Sequence, residues 1–189
     1  MMLGLPVPPG AIVELDDGTK AYGCMRFGAK GDAIAPAIAS VFVADNPTLA
    51  AKIVMFDCWI ANEDRHEGNL ADVNHTTPMI YDHDQSLFGA NGGRRLDRLD
   101  DLRDSAILNG CLAQHVTNAE PFSAFANRIR VLCHPLYGMV RSICEEVRMA
   151  GIITADEEGK IVEFLEYREP KLIEMVRKLP NLGGQGVLL

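Results

Sequence analysis

Hydrophobic and polar residues follow two different patterns in the two parts of the chain. Near the N terminus, the β-prone runs AIVEL (11–15) and KAYGCMRF (20–27) flank an Asp-Gly turn, which predicts a β-hairpin. From residue 45 onward, apolar residues recur mostly at helical spacing. The pattern therefore predicts an α+β fold in which a small β fragment precedes a larger helical lobe.

The first long helix is predicted from Asp45 to Ala61. Asn46 is suited to cap its N terminus, and Pro47 suits the first helical position because an N–H there has no intrahelical partner. Apolar side chains then recur at helical spacing, which gives the helix a buried face at the centre of the lobe. The residues of this face are Leu49, Ile53, Phe56 and Ile60.

Three local signals mark helix ends in the second half of the chain. Gly151 is typical of the residue that follows a helix, and Thr154 with Glu157 has the pattern of a capping box. Pro170 is expected to kink or break the last helix. Two apolar stripes predict buried helix faces, one formed by Phe122, Phe125, Ile129 and Leu132 and the other by Leu136, Val140, Ile143 and Val147.

Polar residues that could carry chemistry are concentrated directly after the Asp45–Ala61 helix. A polar loop from Asn62 to Asn69 contains Asp64 and is followed by a turn, a short predicted strand from Met79 to Tyr81, and then Asp82. A carboxylate, an amide and a second carboxylate in this order match the base and the two metal ligands of a kinase catalytic loop. Oxygen ligands of this kind suit a hard cation such as Mg²⁺.

Composition narrows the class of protein. With 189 residues, 48% hydrophobic and 23% charged, the chain is long enough for one sizeable core. Its formal net charge of −8 disfavours a nucleic-acid backbone as the main partner. The five cysteines are scattered, and the sequence contains no apolar run long enough to span a membrane. We therefore expect reduced thiols in a cytoplasmic protein without a membrane span.

The segments NEDRHEGN (62–69) and IYDHDQSLF (80–88) together resemble the catalytic core of the HipA-like kinases. They are also similar to the phosphatidylinositol 3- and 4-kinase group, whose loop carries D-R-H-x-x-N. The upstream LGLPVPP, followed by a strand, is similar to the HipA-like pattern ahead of the hinge between lobes. The resemblance implies a protein-kinase-like fold, with a partial small lobe and hinge over residues 1–31 and a helical lobe over residues 32–189.

The resemblance also implies a function. It implies a phosphotransferase that uses ATP and Mg²⁺, with a protein hydroxyl of the serine/threonine type as the phosphate acceptor. Asp64 is then the catalytic base, and His66 supports the loop or takes part in catalysis. Asn69 and Asp82 bind Mg²⁺. The adenine hinge is formed by Met25, Arg26, Phe27 and Gly28.

The sequence departs from the family in one respect. A kinase of this kind carries a glycine-rich phosphate loop and a strand lysine upstream of the hinge, whereas the first lysine here, Lys20, lies beside the hairpin turn. Lys30 follows the hinge and is poorly placed to reach a phosphate. Three interpretations are open: a truncated product, a pseudokinase that acts as an interaction module, and a split kinase whose missing half comes from a separate chain.

A metallohydrolase is an alternative of another class. Its metal would be held by Asp64, His66, Asp82 and His83, residue types that bind many divalent metals. This alternative gives Asn69 no role. Metal preference separates the two: Mg²⁺ binding that depends on nucleotide favours the kinase, and tight zinc binding without nucleotide favours the hydrolase.

Several neighbours of these residues are predicted to be structural. Asn62 is suited to secure the end of the preceding helix, and Arg65 has the setting of an ion-pairing surface residue. Side chains alternate along an extended segment, so His83 and Asp84 are expected to point away from Asp82.

Overall fold

The computed structural model describes residues 3–24, 36–73, 77–89 and 96–182. Within these ranges the chain forms seven α-helices and two separate two-stranded antiparallel sheets. The predicted α+β class is therefore confirmed. The residues predicted to form the hinge, Met25, Arg26, Phe27 and Gly28, lie outside the described residues, as does Lys30.

The N-terminal hairpin forms where the Asp-Gly turn predicts it. Strand β1 (Gly10–Glu14) pairs antiparallel with strand β2 (Lys20–Cys24). In the turn, Thr19 N donates to the carboxylate of Asp17 at 2.8 Å, and Gly18 adopts a φ of 79°, which glycine reaches without steric cost. The turn chemistry thus accounts for the hairpin locally.

This hairpin is exposed on both faces. Its two strands pack mainly on each other. Among the described residues, two side-chain hydrogen bonds connect it to other segments: Tyr22 Oη donates to Pro8 O at 3.3 Å, and Lys20 Nζ donates to Ala150 O. A lone two-stranded hairpin is marginally stable in water. The strands expose the apolar side chains of Ile12, Val13 and Tyr22, and Leu15 is exposed in the adjoining turn.

A second hairpin follows the polar loop. Strand β3 (Leu70–Val73) pairs antiparallel with strand β4 (Thr77–Ile80), and Leu70 lies opposite Ile80. The strand predicted from Met79 to Tyr81 is confirmed, but it begins two residues earlier, at Thr77, and ends one residue earlier, at Ile80. Strand β3 was not predicted. Leu70 and Ile80 are fully buried, so this hairpin is anchored in the core.

The structure contains two helices at the place where the sequence predicts the start of one long helix. Helix α1 (Ala39–Asp45) and helix α2 (Pro47–Ile60) meet at a bend of 120°. The predicted start at Asp45 is therefore wrong, because that residue ends α1. Pro47 occupies the first position of α2 as predicted, but the side chain of Asn46 makes no capping hydrogen bond.

The second half of the chain is helical. Its elements are α3 (Leu96–Leu102), α4 (Glu120–Cys133), α5 (Met139–Met149), α6 (Ala155–Arg168) and α7 (Leu172–Val176). The capping box predicted at the start of α6 is present, with both of its reciprocal hydrogen bonds. Gly151 follows α5 with a φ of 73°, and the turn that contains Pro170 separates α6 from α7. All three helix-end signals are confirmed.

Of the two stripes, only the first is confirmed. All four apolar residues of the α4 stripe are buried. On α5 the buried residues are Val140 and Cys144, whereas Ile143 is 42% exposed. Leu136 is 87% exposed because it lies in the turn before α5 and not on the helix. The second stripe is therefore wrong at Leu136 and Ile143, whereas Val140 is buried and Val147 is half-buried.

Helix α2 lies at the centre of the fold and is contacted by α1, α4, α6 and α7. Because neighbours surround it, more than one face is buried. Of the predicted stripe, Ile53 is fully buried, and the other three residues are half-buried. The central position of the helix is confirmed, and the single buried face is wrong. The buried residues of α2 are Ala50, Ala51, Ile53, Val54, Met55, Asp57, Cys58 and Trp59.

Among the described residues, no single helix combines the length and the apolar character needed to cross a membrane. Only α1 and α2 taken together satisfy that test, and they are the pair bent by 120°.

Candidate functional site

The polar loop begins where α2 ends in a left-handed residue. Ala61 adopts φ 52° and ψ 48°, which turns the chain away from the helix axis. Asn62 is buried: its backbone N–H donates to Asp57 O and its Nδ2 to Asp57 Oδ1, both at 2.9 Å. Asn62 Oδ1 accepts from Asp64 N at 3.3 Å. Asn62 therefore secures the end of α2, as predicted, and also fixes the backbone of Asp64.

A buried ion pair lies beneath the loop. Arg65 is only 2% exposed, and its Nε and Nη2 donate to the two carboxylate oxygens of Asp57, each at 2.9 Å. The prediction of a surface arginine is therefore wrong. Arg65 Nη1 also donates to Asn69 O at 3.1 Å and to Tyr81 O at 3.0 Å. One guanidinium thus joins α2, the polar loop and the residue that precedes Asp82, using the planar fork that arginine offers.

Asp64 and His66 form the exposed part of the loop. His66 Nε2 lies 3.8 Å from Asp64 Oδ2, and the two side chains are 57% and 51% exposed. His66 Nδ1 accepts a hydrogen bond from Gly68 N at 3.0 Å, so the proton of the neutral ring is on Nε2, facing Asp64. An ion pair this exposed contributes little to stability. The arrangement suits a side chain that orients the Asp64 carboxylate.

Asn69 is buried at the end of the loop. Its Nδ2 donates to Asp64 O at 2.9 Å, which ties the amide to the backbone of Asp64. Tyr81 N donates to Asn69 O at 3.3 Å, and Tyr81 Oη donates to Gly68 O at 2.7 Å. Because Nδ2 is engaged within the loop, Oδ1 is the atom of this amide that suits a hard cation. The segment before Asp82 is therefore held directly against the loop that carries Asn69.

Asp82 is an exposed residue with a left-handed backbone. Its φ is 53°, which is uncommon outside glycine. The side chain of Asp84 is hydrogen-bonded to that of Asp82, and burial, Asp82 and the charge of Asp64 all raise the pKa of the Asp84 carboxyl. The prediction that Asp84 points away from Asp82 is therefore wrong, because alternation along an extended segment separates Asp82 from His83 but places residues two apart on the same face. Three carboxyl groups interact at this point, which favours binding of a cation.

His83 points away from Asp82 and into the protein, as predicted. Its ring packs edge-on against Phe56, with 5.8 Å between ring centroids. Among the described residues, its buried Nε2 has no hydrogen-bond partner. Burial lowers the pKa of His83 to about 4, with a smaller contribution from the positive charge of Arg65. The ring is therefore neutral at physiological pH and is part of the core, not a proton-transfer group.

This burial predicts acid sensitivity. Between pH 6.5 and pH 4, the unfolded chain binds a proton at His83 that the folded chain does not bind, so the free energy of unfolding falls as the pH is lowered. The loss from this group is up to about 3 kcal/mol and levels off below the folded pKa. Urea denaturation at several pH values tests this. The slope is expected to become shallower in His83→Gln, whereas His115→Gln, at an exposed histidine, leaves it unchanged; equal slopes in all three proteins would contradict the assignment.

A cleft of about 640 Å³ separates the N-terminal hairpin from the segment after β4. Its acidic wall is formed by Asp82 and Asp84, with Tyr81 and His83 beside them. Its opposite wall contains Tyr22 and ends at Cys24, the last residue of β2. The volume lies within the range of clefts that hold small organic ligands. Val7 and Pro8 complete the lining.

Comparison with known proteins returned no relatives. No protein-family model matches the chain, and no curated protein or solved structure is significantly similar to it. The chemistry of the cleft has to follow from its own residues.

The structure brings the four predicted site residues that it describes, Asp64, His66, Asn69 and Asp82, into one neighbourhood. Asp64 and Asn69 are joined by a direct hydrogen bond, and His66 adjoins Asp64. The backbone of Asp82 follows a residue bonded to both Arg65 and Asn69. Within the described ranges, no three His, Cys, Asp or Glu side chains are arranged to hold a metal ion. Amide oxygens such as Asn69 Oδ1 are not among these groups.

Two arginines that organise the site were not recognised from the sequence. The signal for Arg65 was present, because Asp57 is a single carboxylate within the apolar run IVMFDCWI (53–60) and needs a buried cation. The second is Arg98, on α3, which contacts both the polar loop and the segment after β4. It lies in a stretch of alternating charges that gave no sign of a buried contact.

Proposed function

We propose that this chain is the core of an ATP- and Mg²⁺-dependent phosphotransferase of the HipA-like type, with a protein hydroxyl as the acceptor. The observation that carries the proposal is the cleft of about 640 Å³. One wall presents the acidic segment at Asp82, and the other ends at Cys24, immediately before the residues that the family resemblance assigns to the adenine hinge. A nucleotide with its base at that end would direct its phosphates toward the carboxylates.

The proposed roles follow from the geometry of the two loops. Asp64 is exposed, with His66 Nε2 3.8 Å from its carboxylate, and this setting suits a base that accepts the proton of an incoming hydroxyl. Asn69 Oδ1 and the Asp82 carboxylate are the proposed ligands of Mg²⁺. Arg65 holds the backbone of both ligand segments, so the cation would join loops that are already in register. Positioning of this kind is the main contribution a protein makes to phosphoryl transfer.

Charge neutralisation at the β- and γ-phosphates is proposed to come from a separate chain. The described hairpin carries Lys20, but that lysine donates to Ala150 O and not into the cleft. The exposure of Ile12, Val13 and Tyr22 on the same hairpin supports this, because a partner that covers it would bury apolar surface. A phosphate loop and a strand lysine on that partner would supply positive charge and backbone N–H donors to the phosphates.

The proposal predicts weak nucleotide binding by the isolated chain. Electrostatic groups of the missing kind typically contribute about 10²–10³ in rate each, so we expect measurable Mg·ATP binding and little phosphate transfer. Titration calorimetry with Mg·ATP, followed by a phosphotransfer assay with and without a candidate partner chain, tests this. Asp82→Ala is expected to abolish the Mg²⁺ dependence of binding, and Asp64→Asn to retain binding while abolishing any transfer.

Asp101→Ala is the matched control, because Asp101 is an exposed carboxylate on α3 away from the cleft lining. It is expected to bind Mg·ATP like the unmodified chain. Mg·ATP affinity that is the same in Asp82→Ala would remove the metal assignment. Efficient transfer by the isolated chain would show that no partner is required.

A non-catalytic interaction module built on the same fold is the second candidate. The exposed hairpin favours it, since its apolar residues offer a binding surface whether or not the cleft is occupied. Absence of nucleotide binding together with specific capture of a partner would support it. A metallohydrolase has less support, because His83 packs against Phe56 and is turned away from Asp82.

A further inference from the structure

Arg98 is a second arginine, besides Arg65, that connects the two loops of the candidate site. Its Nη2 donates to the Glu63 carboxylate in the polar loop and to Gln85 O at 3.1 Å. Its Nη1 donates to Leu87 O. The side chain is only 16% exposed. Apart from Arg65, the other arginines in the described ion pairs are more exposed, at 33–61%.

The segment from Tyr81 to Gly89 needs such a restraint because its backbone is strained. Asp82 and Leu87 both have a φ of 53°, although neither is glycine. Residues in this region relax to other conformations unless their surroundings hold them. Leu87 is held at both of its backbone groups: its N–H donates to Ile60 O at 3.0 Å, and its carbonyl accepts from Arg98.

Gly89 is consistent with a built contact. A Cβ added to this residue would lie 3.3 Å from the Arg98 guanidinium carbon, so the guanidinium rests against the bare backbone of the glycine. One planar group thus touches the strained segment at three residues and the polar loop at a fourth. Lysine could not reproduce this, since a single ammonium cannot reach acceptors spread along two loops.

We propose that Arg98 is a positioning residue that holds the strained Tyr81–Gly89 segment, and with it Asp82, in register with the loop that carries Asp64. Arg65 fixes the start of the segment at Tyr81, and Arg98 fixes its later part at Gln85 and Leu87. This role rests on the proposed function only as far as Asp82 binds the metal of Mg·ATP. The coupling between the two loops is a property of the chain without ligand.

The test compares Arg98→Met, Arg98→Lys and the control Arg103→Met, whose guanidinium stacks over Tyr167 and pairs with Glu163 instead. Amide hydrogen exchange reports on residues 80–89 in the absence of nucleotide, and calorimetry reports Mg·ATP affinity. In Arg98→Met we expect faster exchange in this segment and about a tenfold loss of Mg·ATP affinity, from hydrogen bonds made by a charged donor. Arg98→Lys is expected to recover part of both effects, and Arg103→Met to change neither.

Each outcome decides a separate point. Unchanged exchange at residues 80–89 in Arg98→Met overturns the inference, whatever the nucleotide data show. Faster exchange with unchanged Mg·ATP affinity also overturns it, because the segment would then be held for the fold and not for the site. If the unmodified chain binds no Mg·ATP but Arg98→Met still loosens the segment, the proposed function fails and the coupling by Arg98 is supported.

Discussion

Replacing Asp57 by alanine is expected to lower the free energy of unfolding by about 3–5 kcal/mol, because it leaves the Arg65 charge buried without its partner. The guanidinium is 1% exposed as a side chain, so water cannot replace the lost carboxylate. The same change removes an acceptor of Asn62. Urea denaturation measures the loss, and Asp45→Ala, at an exposed carboxylate on α1, is expected to change stability by less than about 0.5 kcal/mol.

A double variant separates the ion pair from the shape of the site. In Asp57→Leu/Arg65→Met both charges are absent, and such apolar replacements are often neutral for stability. We expect this protein to recover most of the stability lost in Asp57→Ala, while its polar loop stays loose because Asn69 O and Tyr81 O no longer accept a hydrogen bond from Arg65. A double variant as unstable as Asp57→Ala would argue against an uncompensated charge as the cause.

Replacing Arg168 by methionine is expected to lower the free energy of unfolding by about 4 kcal/mol, since four backbone carbonyls each lose a hydrogen bond from the buried guanidinium, at about 1 kcal/mol each. Arg168 is fully buried at the end of α6. It donates to Ser105 O at 2.9 Å and to Arg103 O at 3.1 Å, as well as to Cys58 O on α2 and to Leu102 O. The Arg168 side chain therefore supplies hydrogen bonds to backbone carbonyls at the end of α3 and just after it, where the chain is not in regular secondary structure.

Arg130→Met is the matched control for this prediction. Arg130 is 59% exposed and pairs with Glu169 near the same end of α6, so its loss is expected to cost less than about 1 kcal/mol. Thermal unfolding followed by circular dichroism compares the two variants. A destabilisation by Arg168→Met no larger than that of the control would mean that water reaches the freed carbonyls.

Features with a cause inside a few residues could be predicted from the sequence. The Asp-Gly turn, the capping box at Thr154 and the left-handed Gly151 each depend on contacts within one turn of chain. The buried face of α4 was also predictable, because its apolar residues keep helical spacing and its other residues are mostly polar or small. Local chemistry was sufficient in these places.

Features that depend on residues far away in the sequence could not be predicted. Asn46 and Pro47 favour a helix start, but nothing nearby reveals that another helix ends at Asp45 and meets α2 at 120°. Helix α2 is apolar on several faces, so periodicity could not show how many neighbours surround it. Strand β3 owes its existence to pairing with β4 and to the buried Leu70. Tertiary contacts decide each of these cases.

The geometry of the candidate site was predicted only in part. The order of Asp64, Asn69 and Asp82 indicated that they belong together. The direction of Asp84 was predicted wrongly, because alternation places residues two apart on the same face. Asp57 was the signal for the buried position of Arg65, whereas nothing in the sequence indicated the positive φ at Asp82. Strained residues are common at functional sites, so failures of local rules are expected there.

The exposed hairpin has a consequence for how ligand affinity is regulated. With two strands and few ties to the helical lobe, it is expected to open and close locally at far lower free energy than α2, which is buried on several faces. A ligand that needs both walls of the cleft then binds only the closed fraction, and its apparent dissociation constant rises in inverse proportion to that fraction. A partner protein that only orders the hairpin would raise the affinity of the cleft for its ligand without contacting that ligand. The partner protein and the ligand would then bind with positive cooperativity.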